Sequence, residues 1–458
     1  MTLFVSAMLV LVLSSDLLCL FIGWEGVGIC SYLLIGFWYE NPRNTAAARK
    51  AFYMTRIGDA AMLCGLLILA TSTGSLQTHT VLTALGAGTI APQALTAAAL
   101  FLLVGALAKS AQIPFQTWLP DAMAGPTPTS ALIHAATMVT AGIYLIARLH
   151  LLFAAVPLVM MLTAIIGALT ILMAACTALV QTDLKRILAW STISQLGYMF
   201  LALGTGIWQA AVFHLMTHAF FKALLFLTAG AIISRLHHEQ DIFRMGGLYR
   251  SMPGLTAAFL AGAAALAGLP LVTSGFYSKE MILSSIWSAH FPLAPLFLPL
   301  AHILWGMALA EEPVWLLLTG GSVPIAGIVI AWILWGRATP VMQEIPGQST
   351  IIRMAKEGWG ADALYDFLFV QPFLFLVWLT RHDILDYLIL GIGRMTRAIS
   401  TFFETARTRS LTLFSGKTIL FLHGGDALLA RFQNGRVRWY AAWIVAGLCA
   451  ALVSGVVS

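Results

Sequence analysis

Lysines, a glutamate and several histidines interrupt stretches of this chain that otherwise read as membrane helix. Glu25 lies between the apolar runs Leu17–Gly23 and Val27–Phe37, and Lys109 closes the run Ala97–Ala108. His214, His218 and Lys222 punctuate Ala210–Ile233, and Lys279 follows Leu255–Tyr277. An ionisable group in hydrocarbon costs at least ~2.5–3.5 kcal/mol on insertion scales, so each needs a reason to be there. Several such groups spread along one chain suggest a proton or ion path.

Each candidate has a chemical and a bland reading. Glu25 sits in Gly23-Trp-Glu-Gly-Val-Gly28, where small residues let helices approach closely. A buried carboxylate needs a cationic partner or a proton, and Lys109 is the natural candidate. Moving that partner away helps a buried lysine release its proton. The bland alternatives are an interhelical hydrogen bond for Glu25 and a snorkelling side chain for Lys109. Asp59 follows Arg56 by three residues, so the two face the same way on a helix. They form either a local ion pair that eases insertion or an acidic site that tunes Glu25. His134 suits a proton relay, and equally a packed hydrogen-bond partner. His214, His218 and Lys222 are four apart and share a helical stripe. A metal site there lacks a third ligand, and Lys222 repels a cation, so a relay fits better. Lys279 and Glu280 flank a break described below; Lys279 near a helix end can also snorkel. Asp183, Lys185 and Arg186 read as a short charged loop for topology or docking, and Asp16 as an N-cap.

Composition limits the class. Of 458 residues, 60% are hydrophobic and only 10% charged, where a soluble domain carries roughly a quarter. The mean hydropathy is +0.88. Apolar runs near the ~20 residues that span hydrocarbon predict an all-α polytopic membrane protein. Period-two alternation is absent, which argues against a membrane β-barrel. The net charge of +6 carries no nucleic-acid signal, because Arg and Lys gather between apolar runs. Cys19, Cys30, Cys64, Cys176 and Cys449 form no CxxC pair and read as packed small side chains. No iron–sulfur, haem, Rossmann or P-loop pattern is present, so any electrons travel elsewhere. The chain opens on an apolar run without a basic region or cleavage site, and no signal peptide is read.

The elements that must position these residues are spanning helices at roughly 1–14, 16–39, 48–70, 95–118, 128–148, 155–180, 188–206, 207–235, 254–289, 313–336 and 438–457. The first is short and reads as incomplete. Two are interrupted, at Lys109-Ser-Ala-Gln-Ile-Pro114 and across Gly268–Lys279, where Pro, Gly and Ser open the backbone. Paired broken helices point to an inverted repeat with sites at the breaks. The loops at 40–50, 181–187 and 236–253 carry Arg43, Arg49, Lys50, Lys185, Arg186, Arg244 and Arg250 and are placed in the cytoplasm. Residues 362–437 mix apolar and basic side chains, as a lateral amphipathic helix on the membrane surface does, or a cytosolic hairpin. Residues 438–458 form a terminal crossing.

The strings Gly23–Tyr39, Lys109–Met138 (KSAQIPFQTWLPDAMAGPTPTSALIHAATM), Gln181–Leu203 and Phe213–Phe226 (FHLMTHAFFKALLF) are long and specific. On them the chain resembles the L-subunit family of proton-pumping NADH:quinone oxidoreductase, respiratory complex I, whose mitochondrial counterpart is NADH dehydrogenase subunit 5. The wider family includes multisubunit cation/proton antiporters. The resemblance implies two antiporter-like halves (1–150 and 151–290), a linker with one span (291–361), the lateral helix and the final crossing. It implies a proton path through Glu25, Lys109, His134, His218, Lys222 and Lys279, with Asp59, Arg56, His214 and Glu280 in support. Glu280 stands where the family pattern has Asp. It also implies a multi-pass protein of the bacterial cytoplasmic membrane that touches lipid and other membrane-arm subunits. No cofactor is expected on this chain; NADH, FMN, iron–sulfur clusters and quinone belong to partner subunits. Helices that precede residue 1 in the family, and a pair after the second broken helix, have no clear equivalent here. The sequence is then partial or shortened, or those helices come from elsewhere. Two rival functions remain: a subunit of a Na⁺/H⁺ antiporter, and a structural clamp that conducts nothing.

Overall fold

The computed structural model describes residues 1–288, 350–379 and 395–398. The chain divides into two compact units, 1–365 and 366–458. Among the described residues every regular element is helical.

The first unit begins with α1 (Thr2–Leu13) and α2 (Leu17–Ile35), then α3 (Pro42–Thr73) and the short α4 (Thr78–Gly86). Asp16 caps α2 as expected: its carboxylate accepts from the N–H groups of Leu18 (2.7 Å) and Cys19 (3.2 Å). Asn41 caps α3, with Pro42 in the first turn, where a missing N–H costs nothing. Gly74 ends α3 with φ +72°, a conformation that favours glycine. Next come α5 (Pro92–Lys109), α6 (Trp118–Asp121), α7 (Thr127–Ala135), α8 (Ala141–Arg148), α9 (His150–Ala154), α10 (Pro157–Val180), α11 (Leu184–Gly204) and α12 (Trp208–Arg235). After them lie α13 (Leu248–Ser251), α14 (Pro253–Ala267) and α15 (Ser274–Ser288), then Thr350–Lys356 and Ala361–Tyr365.

Seven described helices are long and apolar enough to cross a membrane: α2, α3, α5, α7–α8 taken together, α10, α11 and α12. Thr2–Leu13 and Pro253–Ala267 are apolar but shorter. Both expected breaks exist, at Ser110–Thr117 and between α14 and α15. The helix expected over 128–148 is also broken, between Ala135 and Ala141, and the loop expected over 71–94 contains α4. Cys30 is buried as expected, whereas Cys19, Cys64 and Cys176 face outward on the bundle. The crossings expected at 313–336 and 438–457, and most of the surface helix at 362–437, lie outside the described residues. In the second unit the structure describes a π-helical turn (Asp366–Val370) followed by the helix Gln371–Leu379. Gln371 Nε2 there donates to Asp366 Oδ2 at 3.0 Å.

Backbone contacts sort the loops to two ends of the bundle. At one end Leu17 N–H bonds Leu76 O (2.8 Å) and Thr78 N–H bonds Ser15 O (3.0 Å). At the other, Leu184 N–H bonds Gln240 O (3.0 Å) and Ile242 N–H bonds Thr182 O (2.9 Å). Asp121 joins that second end by binding Lys50 (2.7 Å) and Arg186 (2.6 Å). The loops assigned to one side by their basic residues are thus physically tied together.

Small residues set helix separation. A Cβ at Gly197 of α11 would stand 2.9 Å from the Gly167 carbonyl oxygen of α10, and one at Gly167 would stand 2.8 Å from the Gly197 oxygen. Both atoms are backbone and cannot swing aside. Gly197→Val should therefore force α10 and α11 apart and cost roughly 1–3 kcal/mol, the usual scale of overpacking. The check is thermal unfolding in detergent. A melting temperature equal to that of the parent chain would show that this contact does not set the helix separation.

Candidate functional site

The first break builds an ion pair. Lys109 is the last residue of α5, where the orphan carbonyls of a helix C-terminus favour a cation. Ala111 takes a left-handed φ of +50°, turning the chain out of the helix. The indole N–H of Trp118, from beyond the break, donates to the Ala108 carbonyl at 3.0 Å, which also accepts a longer bond (3.3 Å) from Ala111 N–H. Lys109 is 0% exposed, and its Nζ lies 3.2 Å from Asp59 Oδ1 and 3.3 Å from Oδ2. Trp24 Nε1–H donates to the same Asp59 Oδ1 at 2.6 Å, and the ammonium stands 5.3 Å from the Trp24 ring centroid. Gly28 makes room: a Cβ there would stand 3.0 Å from Lys109 Nζ.

The expected pairing is exchanged. Lys109 binds Asp59, and Glu25 forms its ion pair with Arg56. Both cations' partners come from α2 and α3, but Asp59 points inward while Arg56 keeps a third of its side chain exposed. A spacing of three places Arg56 and Asp59 on neighbouring turns; it does not force their heads to meet. Instead each finds a partner on another helix.

The break after Ala135 was not expected, and it supplies the next link. His134 lies in the last turn of α7, fully buried, with neither ring nitrogen hydrogen-bonded among the described residues and its ring 5.1 Å from that of Phe226. The Ala135 carbonyl, freed by the break, accepts from His218 Nδ1 at 3.1 Å. One turn further along α12, Lys222 Nζ donates to Ser191 Oγ (2.6 Å) and Leu188 O (3.2 Å). One turn back, His214 lies between Gln195 Oε1 (3.1 Å from Nε2) and Ser278 Oγ (2.9 Å from Nδ1).

At the remaining break Gly268 ends α14 with φ +84°. Lys279, one turn into α15, reaches back and donates to the Leu266 carbonyl at the α14 terminus. Its Nζ also lies 5.9 Å from the Tyr198 ring centroid. It is 7% exposed, which rules out the snorkelling alternative for this side chain. Glu280 is half-buried and forms no ion pair among the described residues. Neither Lys222 nor Lys279 meets a carboxylate within 4.0 Å among the described residues.

Sequence reasoning missed several polar partners. Lys185, read as a loop residue, is buried and donates to the carbonyls of Met123 (2.6 Å) and Gly125 (3.1 Å) below the first break. Ser191, Gln195, Thr217 and Ser278 are ordinary polar residues whose role appears only when α11, α12 and α15 pack. Among the described residues, no group of three or more His, Cys, Asp or Glu side chains gathers to hold a metal ion.

An all-α bundle with broken spanning helices and buried lysines at the breaks has the form of an antiporter-like integral membrane subunit. The family model described as "NADH:quinone oxidoreductase/Mrp antiporter, TM" matches residues 14–303, and the chain belongs to this family. Its relatives include the NADH-quinone oxidoreductase subunits L of Pseudomonas aeruginosa, 45% identical over 99% of this chain and 79% of that one, and of Escherichia coli, 42% identical over 98% and 79%. A solved Mrp complex from Dietzia contains a chain 26% identical over 100% of this one, with a TM-score of 0.58; the present chain spans about half (51%) of it. An archaeal membrane-bound sulfane sulfur reductase is similar over 83% of this chain and 74% of the matched chain, at 25% identity and a TM-score of 0.60. The protein is a multi-pass protein of the bacterial cytoplasmic membrane.

The two acidic groups should respond differently to removal. Asp59→Ala strands a fully buried ammonium, and breaking a buried pair costs roughly 3–5 kcal/mol. Glu25→Gln touches a partly exposed pair, for which about 0–1 kcal/mol is expected. Unfolding of the two purified variants in detergent checks the order. Equal losses would mean that Asp59 does not hold Lys109 in the folded protein.

Proposed function

We propose that the chain is a proton-translocating membrane-arm subunit of an NADH:quinone oxidoreductase, moving protons through buried side chains while electron transfer occurs in partner subunits. The carrying observation is Lys109: an ammonium at a helix break, fully buried and held, among the described residues, by Asp59 as its one carboxylate. A conformational or electrostatic signal that separates Asp59 from Lys109 weakens the hold on its proton. Glu25 and Arg56, the neighbouring pair, are the charges such a signal rearranges. The proton then passes toward His134, His218 and Lys222, and Lys279 hands it to the far side.

Two features around the first break support access of water. Ser110 Oγ, Gln112 Oε1, Gln116 Oε1 and Thr117 Oγ1 are buried without a partner among the described residues, and such groups bond water in folded proteins. Thr117 also lines a cavity of about 330 Å³ with Asp121, Arg186, Trp190 and Lys356. We read this as the side from which Lys109 is recharged, and the two broken elements as the centres of two antiporter-like halves.

A second reading, a subunit of a multisubunit Na⁺/H⁺ antiporter, is favoured by the likeness to the Mrp chain over the whole of this sequence. The clamp reading gains no such support.

Lys109→Met should assemble, sustain electron transfer and lose the proton gradient formed per NADH oxidised in inverted membrane vesicles. A full gradient in that variant would overturn the proton path. Varying Na⁺ separates the two transport readings. Under the first, the gradient formed per NADH is independent of Na⁺. A gradient that requires Na⁺ would favour the antiporter.

A further inference from the structure

Resting on the proton-path reading, we propose that Thr217 and Ser278 form a reversible hydroxyl relay at the contact between α12 and the second broken helix, with His214 as its terminal acceptor and Gln195 as a positioning residue. None of these four side chains is more than 6% exposed.

The heavy-atom geometry serves two protonation states without movement. Gln195 Oε1 lies 3.1 Å from His214 Nε2 and accepts its hydrogen in both. That fixes the tautomer and leaves Nδ1 as the variable site. Ser278 Oγ lies 2.9 Å from Nδ1, and Thr217 Oγ1 lies 3.0 Å from Ser278 Oγ. With His214 neutral, Thr217 donates to Ser278 and Ser278 donates to Nδ1. With His214 cationic, Nδ1 donates to Ser278, Ser278 donates to Thr217, and Thr217 donates to the His214 carbonyl oxygen, 3.0 Å away. Every hydrogen has an acceptor in each state, and the chain of donors simply reverses.

The transfer balances. A hydronium ion gives its excess proton to Thr217 Oγ1 and becomes water. Thr217 passes its original hydrogen to Ser278 Oγ, and Ser278 passes its own to His214 Nδ1. One O–H bond forms and one breaks at each oxygen, an N–H bond forms at Nδ1, and the positive charge ends on the imidazolium. Release runs the same steps backward. His134 offers a contrast, because among the described residues neither of its nitrogens has a partner that could be reversed in this way. Ser278, the α15 member of the relay, is adjacent in sequence to Lys279.

The test compares Ser278→Ala, Thr217→Val and Ser278→Thr in assembled complex in inverted membrane vesicles, reading the proton gradient formed per NADH oxidised, with Lys109→Met alongside. Ser278→Ala and Thr217→Val should lower that ratio to the Lys109→Met level while NADH oxidation continues. Ser278→Thr, which keeps the hydroxyl, should restore it. A packing role alone would lower assembly and leave the ratio unchanged in whatever complex forms. If Lys109→Met loses the gradient and Ser278→Ala keeps it, the relay is wrong and the proton path stands. If Lys109→Met also keeps it, the proton path itself fails.

Discussion

The structure depends on keeping one ammonium stable among almost wholly buried side chains. Lys109 and Asp59 stand 3.2 Å apart with almost no exposed surface on either side chain. Desolvating two charges costs several kcal/mol each, and their attraction offsets this only when geometry is good and remaining valences are filled. Trp24 fills one of those valences, and Gly28 leaves the space the amine occupies. Gly58 and Gly105 matter for the same reason. A Cβ at Gly105 would stand 3.2 Å from the Gly58 carbonyl oxygen, so α3 and α5 touch backbone to backbone beside the pair. The helix separation that admits no larger residue is also the separation that lets Asp59 reach Lys109.

Helix breaks extend this economy to backbone groups. A break in a spanning helix frees carbonyls that hydrocarbon cannot satisfy. Here the freed groups are taken up by side chains that carry or transmit charge. Trp118 takes Ala108 O, His218 takes Ala135 O, and Lys279 takes Leu266 O. Each break therefore couples the backbone of one half-helix to a side chain in another segment. A rotation at any of them changes the surroundings of an ionisable group or of the indole that braces one.

Much of this was legible in the sequence, for identifiable reasons. Asp16 and the Gly and Pro residues at Lys109–Pro114 and Gly268–Pro270 act locally, so the cap and both breaks could be read from neighbours alone. The buried lysines and histidines stood out because their polarity conflicts with the runs around them. The pairing did not, because the rotation of α2 against α3 decides which carboxylate faces Lys109, and periodicity leaves that angle open. The break after Ala135 lacks Gly or Pro. It occurs at Thr137, whose hydroxyl bonds back to the Leu132 carbonyl and competes with the helical ladder. Gln195, Thr217 and Ser278 are unremarkable in sequence and acquire meaning only through partners on other helices.

The row of charges is graded in a way that a brace does not require. Lys109 is held by a carboxylate, whereas Lys222 and Lys279 are held by hydroxyl and carbonyl oxygens among the described residues. Replacing a buried ion pair by well-packed apolar residues is often neutral or stabilising, so stability alone gives little reason for ammonium groups at these three places. A transfer path does give one. It needs sites that differ in how firmly they hold a proton, and it needs at least one partner whose removal alters that hold. Asp59 is the partner that can be withdrawn from Lys109. Among the described residues Lys222 and Lys279 are held by neutral oxygens, so under the proposed path a driving signal acts at the Lys109 end, through Asp59 and the Glu25–Arg56 pair beside it.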